Sequence, residues 1–171
     1  GNAASATPFF RKAMELSPND PRPYVPLGML QDSLGQRAEA KAAYQQALKL
    51  QPDQPIALNN LAYLMAESGD DLDQALTLAQ RARKILPQDP NVADTVGWIY
   101  IKKNLSDNAI EIFRDLVSKL PQNTTYRYHL GMALYQKGDK LSARKELQTA
   151  LRGKPAPEEA AKIKELLAKL G

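Results

Sequence analysis

Residues 90–123 read PNVADTVGWIYIKKNLSDNAIEIFRDLVSKLPQN, two apolar segments that are separated by a short polar turn and followed by a proline. The same plan recurs along the chain. Prolines follow an apolar segment at intervals of 34, 35, 34 and 34 residues, at Pro18, Pro52, Pro87, Pro121 and Pro155. A fixed period of a few tens of residues is typical of proteins built from one repeated supersecondary unit. The period therefore predicts the fold before any single helix is assigned.

Four frames follow from this period, at residues 21–54, 55–89, 90–123 and 124–157. The eighth place of each frame holds a small residue: Gly28, Ala62, Gly97 and Gly131. Later places align as Ala40, Ala75, Ala109 and Ala143, then as Tyr44, Ala79, Phe113 and Leu147, and then as Ala47, Ala82, Leu116 and Ala150. The alternation of small and large side chains is typical of two closely packed helices.

The turn inside each frame carries residues that accept a left-handed backbone, namely Gly35, Gly69, Asn104 and Gly138. Such residues end helices. Each frame therefore predicts helix A, a tight turn, helix B and a proline stop. In the 35-residue frame, Asp71 is expected to cap helix B, with Gln74 bonding back to it. The acidic side chains around Asp71 do not have the spacing of a calcium loop.

The aligned pairs Leu27-Gly28, Leu61-Ala62, Val96-Gly97 and Leu130-Gly131, with the later alanines and the closing prolines, resemble the tetratricopeptide repeat (TPR) family across residues 21–157. The resemblance implies an all-α fold, a right-handed superhelical solenoid of antiparallel helix pairs. One departure is the early tryptophan of the family, which is replaced by Tyr24, Leu58, Ala93 and Arg127. We expect this replacement to loosen the packing between repeats.

The segments outside the four frames differ from each other. Residues 158–171 combine one apolar side with a charged side, as expected of a helix that caps a solenoid. Residues 1–20 align with a helix B alone, a remnant of a preceding repeat, with Thr7 as its cap and Pro8 in its first turn. We therefore expect the chain to be the C-terminal part of a longer array. Phe9 and Phe10 would then be exposed and could drive self-association.

The sequence offers no basis for catalysis. Cysteine is absent and His129 is the single histidine, which excludes thiolate sites and two-histidine metal sites. Neither GxGxxG nor GxxxxGK occurs. We expect a structural or surface role for His129, no enzyme activity, no cofactor and no small-molecule substrate. The sequence contains no run of about 18 apolar residues, so it predicts no membrane-spanning helix. It does not indicate whether this bacterial-type chain belongs to the cytoplasm or to the periplasm.

The formal charge of +4 arises in the segment from Lys140 to the end. A basic segment can attract nucleic acid. Here, however, positive and negative side chains alternate and no arginine–aromatic cluster accompanies them, which favours the solvated outer faces of helices. Nucleic-acid binding is therefore the weakest of the functional readings.

The TPR resemblance assigns places 2, 5, 9, 12 and 13 of each frame to the concave, partner-binding face. The implied peptide-binding residues are Asn59, Tyr63, Asp94, Trp98, Ile101, Tyr128, Met132 and Tyr135. The alternative is that these side chains pack between neighbouring A helices. Some TPR proteins bind the carboxylates of a chaperone tail through lysine, arginine and asparagine at places 2, 5, 6 and 9. We do not expect that activity here, because only Arg22 and Asn60 match these residue types. Pro23 and Pro26 predict an irregular first helix A.

The leading functional hypothesis is a scaffold that holds a protein or peptide segment in its groove. The alternative is a component of a bacterial secretion, exopolysaccharide export or envelope-assembly system. It rests on ALNNLAYLMAE, VADTVGWIYIKK and YRYHLGMALYQKGDKLSARKEL, at residues 57–67, 92–103 and 126–147, which resemble the last repeats of TPR proteins linked to exosortase and exopolysaccharide secretion.

Overall fold

The structure is a computed structural model that describes residues 3–171, and these residues form ten α-helices and no strand. The helices are α1 Ala3–Leu16, α2 Tyr24–Ser33, α3 Arg37–Leu50, α4 Pro55–Ser68, α5 Leu72–Ile85, α6 Pro90–Lys102, α7 Ser106–Lys119, α8 Thr124–Lys137, α9 Lys140–Arg152 and α10 Pro157–Lys169. The all-α architecture of paired helices that the period predicts is thus confirmed. Among these ten helices, none is long and apolar enough to cross a membrane.

The chain divides into two compact units, Gly1–Pro87 and Gln88–Gly171. Unit 1 contains α1 to α5, and unit 2 contains α6 to α10. Within each unit, helices pack against their neighbours in the chain, and in unit 2 α8 also packs against α6 and α10.

The turns between paired helices have the predicted backbone. Gly35, Gly69, Asn104 and Gly138 all have positive φ, at 74°, 71°, 57° and 87°. Asn104 shows that the turn tolerates a short polar side chain in the left-handed region. Asp71 caps α5 by accepting hydrogen bonds from the backbone N–H groups of Asp73 and Gln74, both at 3.0 Å. The return bond from the Gln74 side chain does not form within the described residues, so the cap is one-sided.

Close packing of each helix pair depends on the eighth place of the frame. A Cβ atom added at Gly97 would lie 2.7 Å from Phe113 Cζ, and one added at Gly28 would lie 2.6 Å from Tyr44 Cε1. Phe113 and Tyr44 are 0% and 1% exposed, so neither ring has room to move away. The aligned small and large residues are therefore the contact between helix A and helix B, as the sequence predicts.

The first helix A starts later than the others. α2 begins at Tyr24, which places Pro26 in its first turn, where backbone N–H groups have no intrahelical acceptor. The missing N–H of Pro26 therefore breaks no helical hydrogen bond. The irregularity predicted from Pro23 and Pro26 shortens the helix and does not kink it.

α1 differs from its sequence prediction at its start. The helix begins at Ala3, so Pro8 lies inside it and does not open it. The prediction used the preference of proline for a first turn, but the segment before Pro8 is itself helical. The side chain of Thr7, the predicted cap, lies outside the described residues. Phe9 is 76% exposed, whereas Ala43, its counterpart one period later in α3, is 6% exposed.

α10 closes unit 2 through polar and apolar contacts. Ile163 and Leu170 are buried, and Thr125 of α8 donates a hydrogen bond to Glu159 Oε2 at 2.7 Å. Arg144 of α9 donates to the backbone oxygens of Leu170 and Gly171. The outward side carries the ion pairs Lys162–Glu158 and Lys169–Glu165, both at 2.7 Å. This combination of a buried stripe and paired charges suits a helix with one solvated side.

Candidate partner-binding surface

Four predicted residues form what we call the aromatic surface of unit 2: Trp98, Tyr128, Met132 and Tyr135. All four side chains are partly exposed. Tyr128, Met132 and Tyr135 follow the i, i+4, i+7 spacing of one helix face on α8. α8 begins at Thr124 and is capped by Asn123, whose side chain accepts a hydrogen bond from the Tyr126 N–H at 3.0 Å. This cap fixes the start of α8.

His129 joins the aromatic surface to the core of unit 2. Its ring centroid lies 4.8 Å from that of Trp98, 5.3 Å from that of Phe113 and 5.6 Å from that of Tyr128. Its Nδ1 lies 2.7 Å from Asp94 Oδ1. A carboxylate only accepts hydrogen bonds, so Nδ1 carries the proton. The histidine side chain is only 12% exposed, and its role is to link α6, α7 and α8.

Lys102 contacts the aromatic surface, and Lys169 on α10 has a raised pKa. Lys102 Nζ is 4.7 Å from the centroid of the Trp98 ring, within the range of a cation–π contact. The Glu165 carboxylate raises the pKa of Lys169 through a hydrogen bond and through its charge, and Tyr135 and Tyr128 raise it further. Lys169 on α10 is ion-paired with Glu165 at 2.7 Å, whereas Lys102 contacts the Trp98 ring. Aromatic rings with flanking ammonium groups can bury apolar side chains and attract negative charge in one partner.

Each unit contains a buried tyrosine whose pKa is raised. Tyr126 is 6% exposed, and burial, followed by the charges of Asp94 and Asp89, raises its pKa. In unit 1 burial likewise raises the pKa of Tyr44, although a hydrogen bond from Asn60 partly opposes this. Both phenols stay protonated near neutral pH and act as packing groups.

Ile101, the fifth apolar residue of the predicted set in unit 2, lies elsewhere. It is 2% exposed, and its backbone oxygen accepts a hydrogen bond from Gln136 Nε2 at 3.2 Å. A partner cannot reach its side chain in this conformation. Asp94 is also engaged internally, by His129, and its side chain is 21% exposed. The surface available to a partner in unit 2 is therefore narrower than the sequence pattern indicates.

In unit 1 the predicted residues Asn59 and Tyr63 both lie on α4. Tyr63 is 37% exposed, and Met29, at the same frame place on α2, is 51% exposed. Asn59 Nδ2 donates to Asn60 Oδ1, and Asn60 Nδ2 donates to Tyr44 Oη, both at 3.2 Å. Asn59 Oδ1 is buried without a hydrogen-bond partner. Unit 1 thus presents two exposed apolar side chains and an amide held by a hydrogen-bonded chain.

Removal of His129 is expected to destabilise unit 2. His129→Ala deletes three ring contacts and leaves the partly buried Asp94 carboxylate without its donor. The expected loss in free energy of unfolding is about 2–3 kcal/mol. Urea denaturation followed by the fluorescence of Trp98, the single tryptophan, measures it.

The matched variant for this test is His129→Asn, whose amide can still donate to Asp94 but cannot replace the ring contacts. It should fall between native and His129→Ala. Equal stability of His129→Ala and the native chain would contradict a linking role for this histidine.

Sequence reasoning missed two features of unit 2. The pairing of His129 with Asp94 joins residues 35 apart on adjacent A-type helices, a separation close to the repeat period. The second feature is a small cleft lined by Arg127 and Arg152. No sequence motif marks this cleft, and it becomes apparent only when the repeats are compared. Among the described residues, no cluster of three or more histidine, cysteine or acidic side chains could hold a metal ion.

The family model of the tetratricopeptide repeat matches residues 26–90 and 97–160, about three quarters of the chain. The chain belongs to the tetratricopeptide repeat family. TPR solenoids generally serve as non-catalytic scaffolds for protein–protein interaction, because stacked helix pairs create extended binding surfaces.

Among curated relatives, a TPR repeat-containing protein of Pseudomonas aeruginosa is 27% identical over 60% of this chain and 17% of its own length. Cellulose synthase operon protein C of Pseudomonas fluorescens is 27% identical over 91% of this chain and 13% of its own length. The chain thus spans less than a fifth of either relative. The solved structure of MamA from Desulfovibrio magneticus is 21% identical, with a TM-score of 0.78 over 91% of this chain and 89% of its own. That likeness shows the TPR fold.

Proposed function

We propose that the chain is a TPR scaffold that binds a peptide or partner segment, and that the aromatic surface of unit 2 is its main contact. The observation that carries this proposal is the partial exposure of Trp98, Tyr128, Met132 and Tyr135 on adjacent A-type helices. Large aromatic side chains dominate binding energy at protein interfaces. A partner that covers them would gain apolar burial while Lys102, which lies against the Trp98 ring, attracts its acidic groups.

Unit 1 is proposed as a second contact. Met29 and Tyr63 offer exposed apolar area, and the orphaned Oδ1 of Asn59 can accept a hydrogen bond if a partner displaces its neighbours. Asp94 keeps one oxygen for a partner while it holds His129. Ile101 is proposed to support Trp98 from the core and not to touch the partner.

These sites rest on a division into four repeats, which we propose at residues 21–54, 55–89, 90–123 and 124–157. One helix pair falls within each: α2 with α3, α4 with α5, α6 with α7, and α8 with α9. Residues 1–20 would be the second helix of a further repeat, and residues 158–171 a capping helix.

Selection of peptides from a displayed random library tests the scaffold proposal. Native protein should enrich peptides that combine aromatic or aliphatic residues with acidic ones, as the aromatic surface and Lys102 require. A Leu141→Ala variant is the matched control, because Leu141 is apolar, 83% exposed and on α9. It should enrich the same peptides. Failure of native protein to enrich any common pattern would argue against a peptide-binding surface.

A second candidate function, in polysaccharide export or envelope assembly, is favoured by the likeness to cellulose synthase operon protein C. Under this proposal the partner is another component of such a system. Deletion of the gene should abolish secretion of an extracellular polysaccharide, and re-expression of the native gene should restore it. Unchanged polysaccharide in the deletion strain would reject this candidate and leave the scaffold proposal intact.

We also propose that the chain self-associates weakly through α1. Phe9 and Leu16 are 76% and 73% exposed, and Ala13 is exposed, although its counterparts Ala47 and Ala82 are fully buried. Among the described residues this face of α1 is therefore uncovered, whereas the equivalent alanines of α3 and α5 are buried.

Light scattering over a range of protein concentrations should show a reversible increase in mass towards a dimer. Phe9→Ser should shift that increase to about tenfold higher concentration, since an exposed aromatic anchor contributes more than about 1 kcal/mol. A strict monomer at the highest concentration reached would reject self-association.

A further inference from the structure

A small cleft in unit 2 lies between the turn that precedes α8, the first turn of α8 and the last turn of α9. Its volume is about 200 Å³. Hydrogen-bond donors dominate its lining, and no carboxylate belongs to it; the polar residues are Gln122, Thr124, Arg127, Thr149 and Arg152. The cleft is therefore electropositive and rich in donors.

Gly153 brings the walls of this cleft together. A Cβ atom at this position would lie 2.6 Å from Thr124 Cγ2. The absence of a side chain lets the end of α9 approach the start of α8. The Thr124 hydroxyl makes no hydrogen bond within residues 3–171, so its proton is available to a ligand.

The two arginines are held differently. Arg127 Nε donates to the Pro121 carbonyl at 2.8 Å, and a terminal nitrogen donates to Glu146 Oε2 at 2.6 Å. Arg152 donates to Thr149 Oγ1 at 2.9 Å, and in the described part of the chain it has no carboxylate partner. Each guanidinium has five N–H donors. Donors therefore remain on both arginines, and the charge of Arg152 is uncompensated.

The equivalent turn of unit 1 contains a carboxylate that the cleft of unit 2 lacks. There Arg81 donates to the Pro52 carbonyl at 2.8 Å and to Asp53 Oδ1 at 2.7 Å. Pro52 and Pro121 occupy the same place in the repeat period, so Asp53 corresponds to Gln122. Unit 1 thus supplies an internal carboxylate beside its arginine. Unit 2 replaces that carboxylate with a neutral amide and brings two arginines to the cleft.

We propose that this cleft binds a phosphate-type oxyanion, either free or carried on the side chain of a phosphorylated peptide. The anion takes the place of the carboxylate that Asp53 provides in unit 1. Guanidinium groups bind such oxyanions through paired, charge-assisted hydrogen bonds. Donors from Arg152, Arg127 and Thr124 reach the anion from different walls, which suits a tetrahedral group. None of these donors belongs to the aromatic surface. Rejection of the scaffold proposal would therefore leave this proposal intact, and the reverse also holds.

Titration of the full chain with inorganic phosphate, at constant ionic strength and pH, tests the site by ¹H–¹⁵N NMR. The expected result is a saturable shift of the Gln122, Thr124 and Gly153 amides, with no saturable shift at Asp53. Shifts that grow linearly without saturation, or that spread evenly over the lysine-rich α9 and α10, would overturn the proposal.

Two variants sharpen the test. Arg152→Gln should weaken binding about tenfold, because it removes a charged donor. Gln122→Asp should abolish it, because the new carboxylate occupies the place of the anion as Asp53 does in unit 1. Lys164→Gln, an exposed neutralisation on α10, is the control and should bind as the native chain does. Equal affinity of Gln122→Asp and native protein would contradict the assignment.

A second titration, with a blocked tripeptide that contains phosphoserine, distinguishes the two sources of the oxyanion. Tighter binding of the peptide than of inorganic phosphate at the same amides indicates a phosphorylated partner. Equal or weaker binding indicates a free anion. A peptide that shifts other amides and leaves these three unchanged would contradict the site.

Discussion

Gly97→Leu is expected to lower the stability of unit 2 by about 3 kcal/mol. The added Cβ atom would lie 2.7 Å from Phe113 Cζ and 2.8 Å from Cε2. The Phe113 ring cannot retreat, because it is fully buried and packs against His129. Urea denaturation followed by Trp98 fluorescence measures the change. Glu111→Leu, on the exposed side of α7, is the control and should alter stability by no more than about 0.5 kcal/mol.

A compensating variant separates this steric explanation from general helix damage. Phe113→Ala alone should cost about 3–5 kcal/mol by leaving a cavity. The double variant Gly97→Leu/Phe113→Ala should lose less than the sum of the two, by at least about 1 kcal/mol. The chain itself contains a precedent, since Ala62 and Ala79 occupy the equivalent frame places in unit 1 and both are fully buried. Strict additivity of the two changes would contradict the packing argument.

Trp98→Ala/Tyr128→Ala is expected to weaken binding of a selected peptide by about 100-fold. Each ring buries a large area at low conformational cost, and loss of one anchoring aromatic typically costs about 2 kcal/mol, or roughly thirtyfold. The two effects should fall short of multiplying, because both rings contact His129 and share its packing. Fluorescence anisotropy with a labelled peptide measures the affinities.

The single variants and a stability measurement make this prediction specific. Trp98→Phe retains an aromatic ring and should lose less than Trp98→Ala. Thermal unfolding of the double variant must stay cooperative, since a collapsed unit 2 would also fail to bind. Tyr63→Ala in unit 1 reports whether the second contact contributes. Native affinity in a folded Trp98→Ala/Tyr128→Ala variant would show that these aromatics are packing residues.

The fold could be predicted from the sequence because the repeat period constrains it at many positions together. Small residues at the eighth place, left-handed residues in the turns and closing prolines each had a structural counterpart. The start of α1 could not be predicted, because the preference of Pro8 for a first turn is local and weaker than the continuity of the surrounding helix. Likewise, helix periodicity places Ile101 on the same face as Trp98, yet the packing of unit 2 buries it.

The candidate surface could be predicted from the sequence only in part. Frame places identify side chains on one helix face, but they do not indicate which groups a neighbouring helix engages. Asp94 is an example, because its partner His129 comes from α8. The arginine cleft depends on a difference between repeats, Gln122 against Asp53, and not on any motif. Such sites become visible when equivalent positions of the two units are compared in three dimensions.

The pattern of helix contacts has a consequence for how the chain folds. Among the described helices of each unit, the main packing contacts join helices that are next to each other or next but one along the chain. Few residues must be brought together from far apart in sequence, so the entropy lost in closing loops before native contacts form is small. Chains with such local contacts fold rapidly. Each unit can then begin to fold from any of its helix pairs, so synthesis and folding can proceed together as the chain is made.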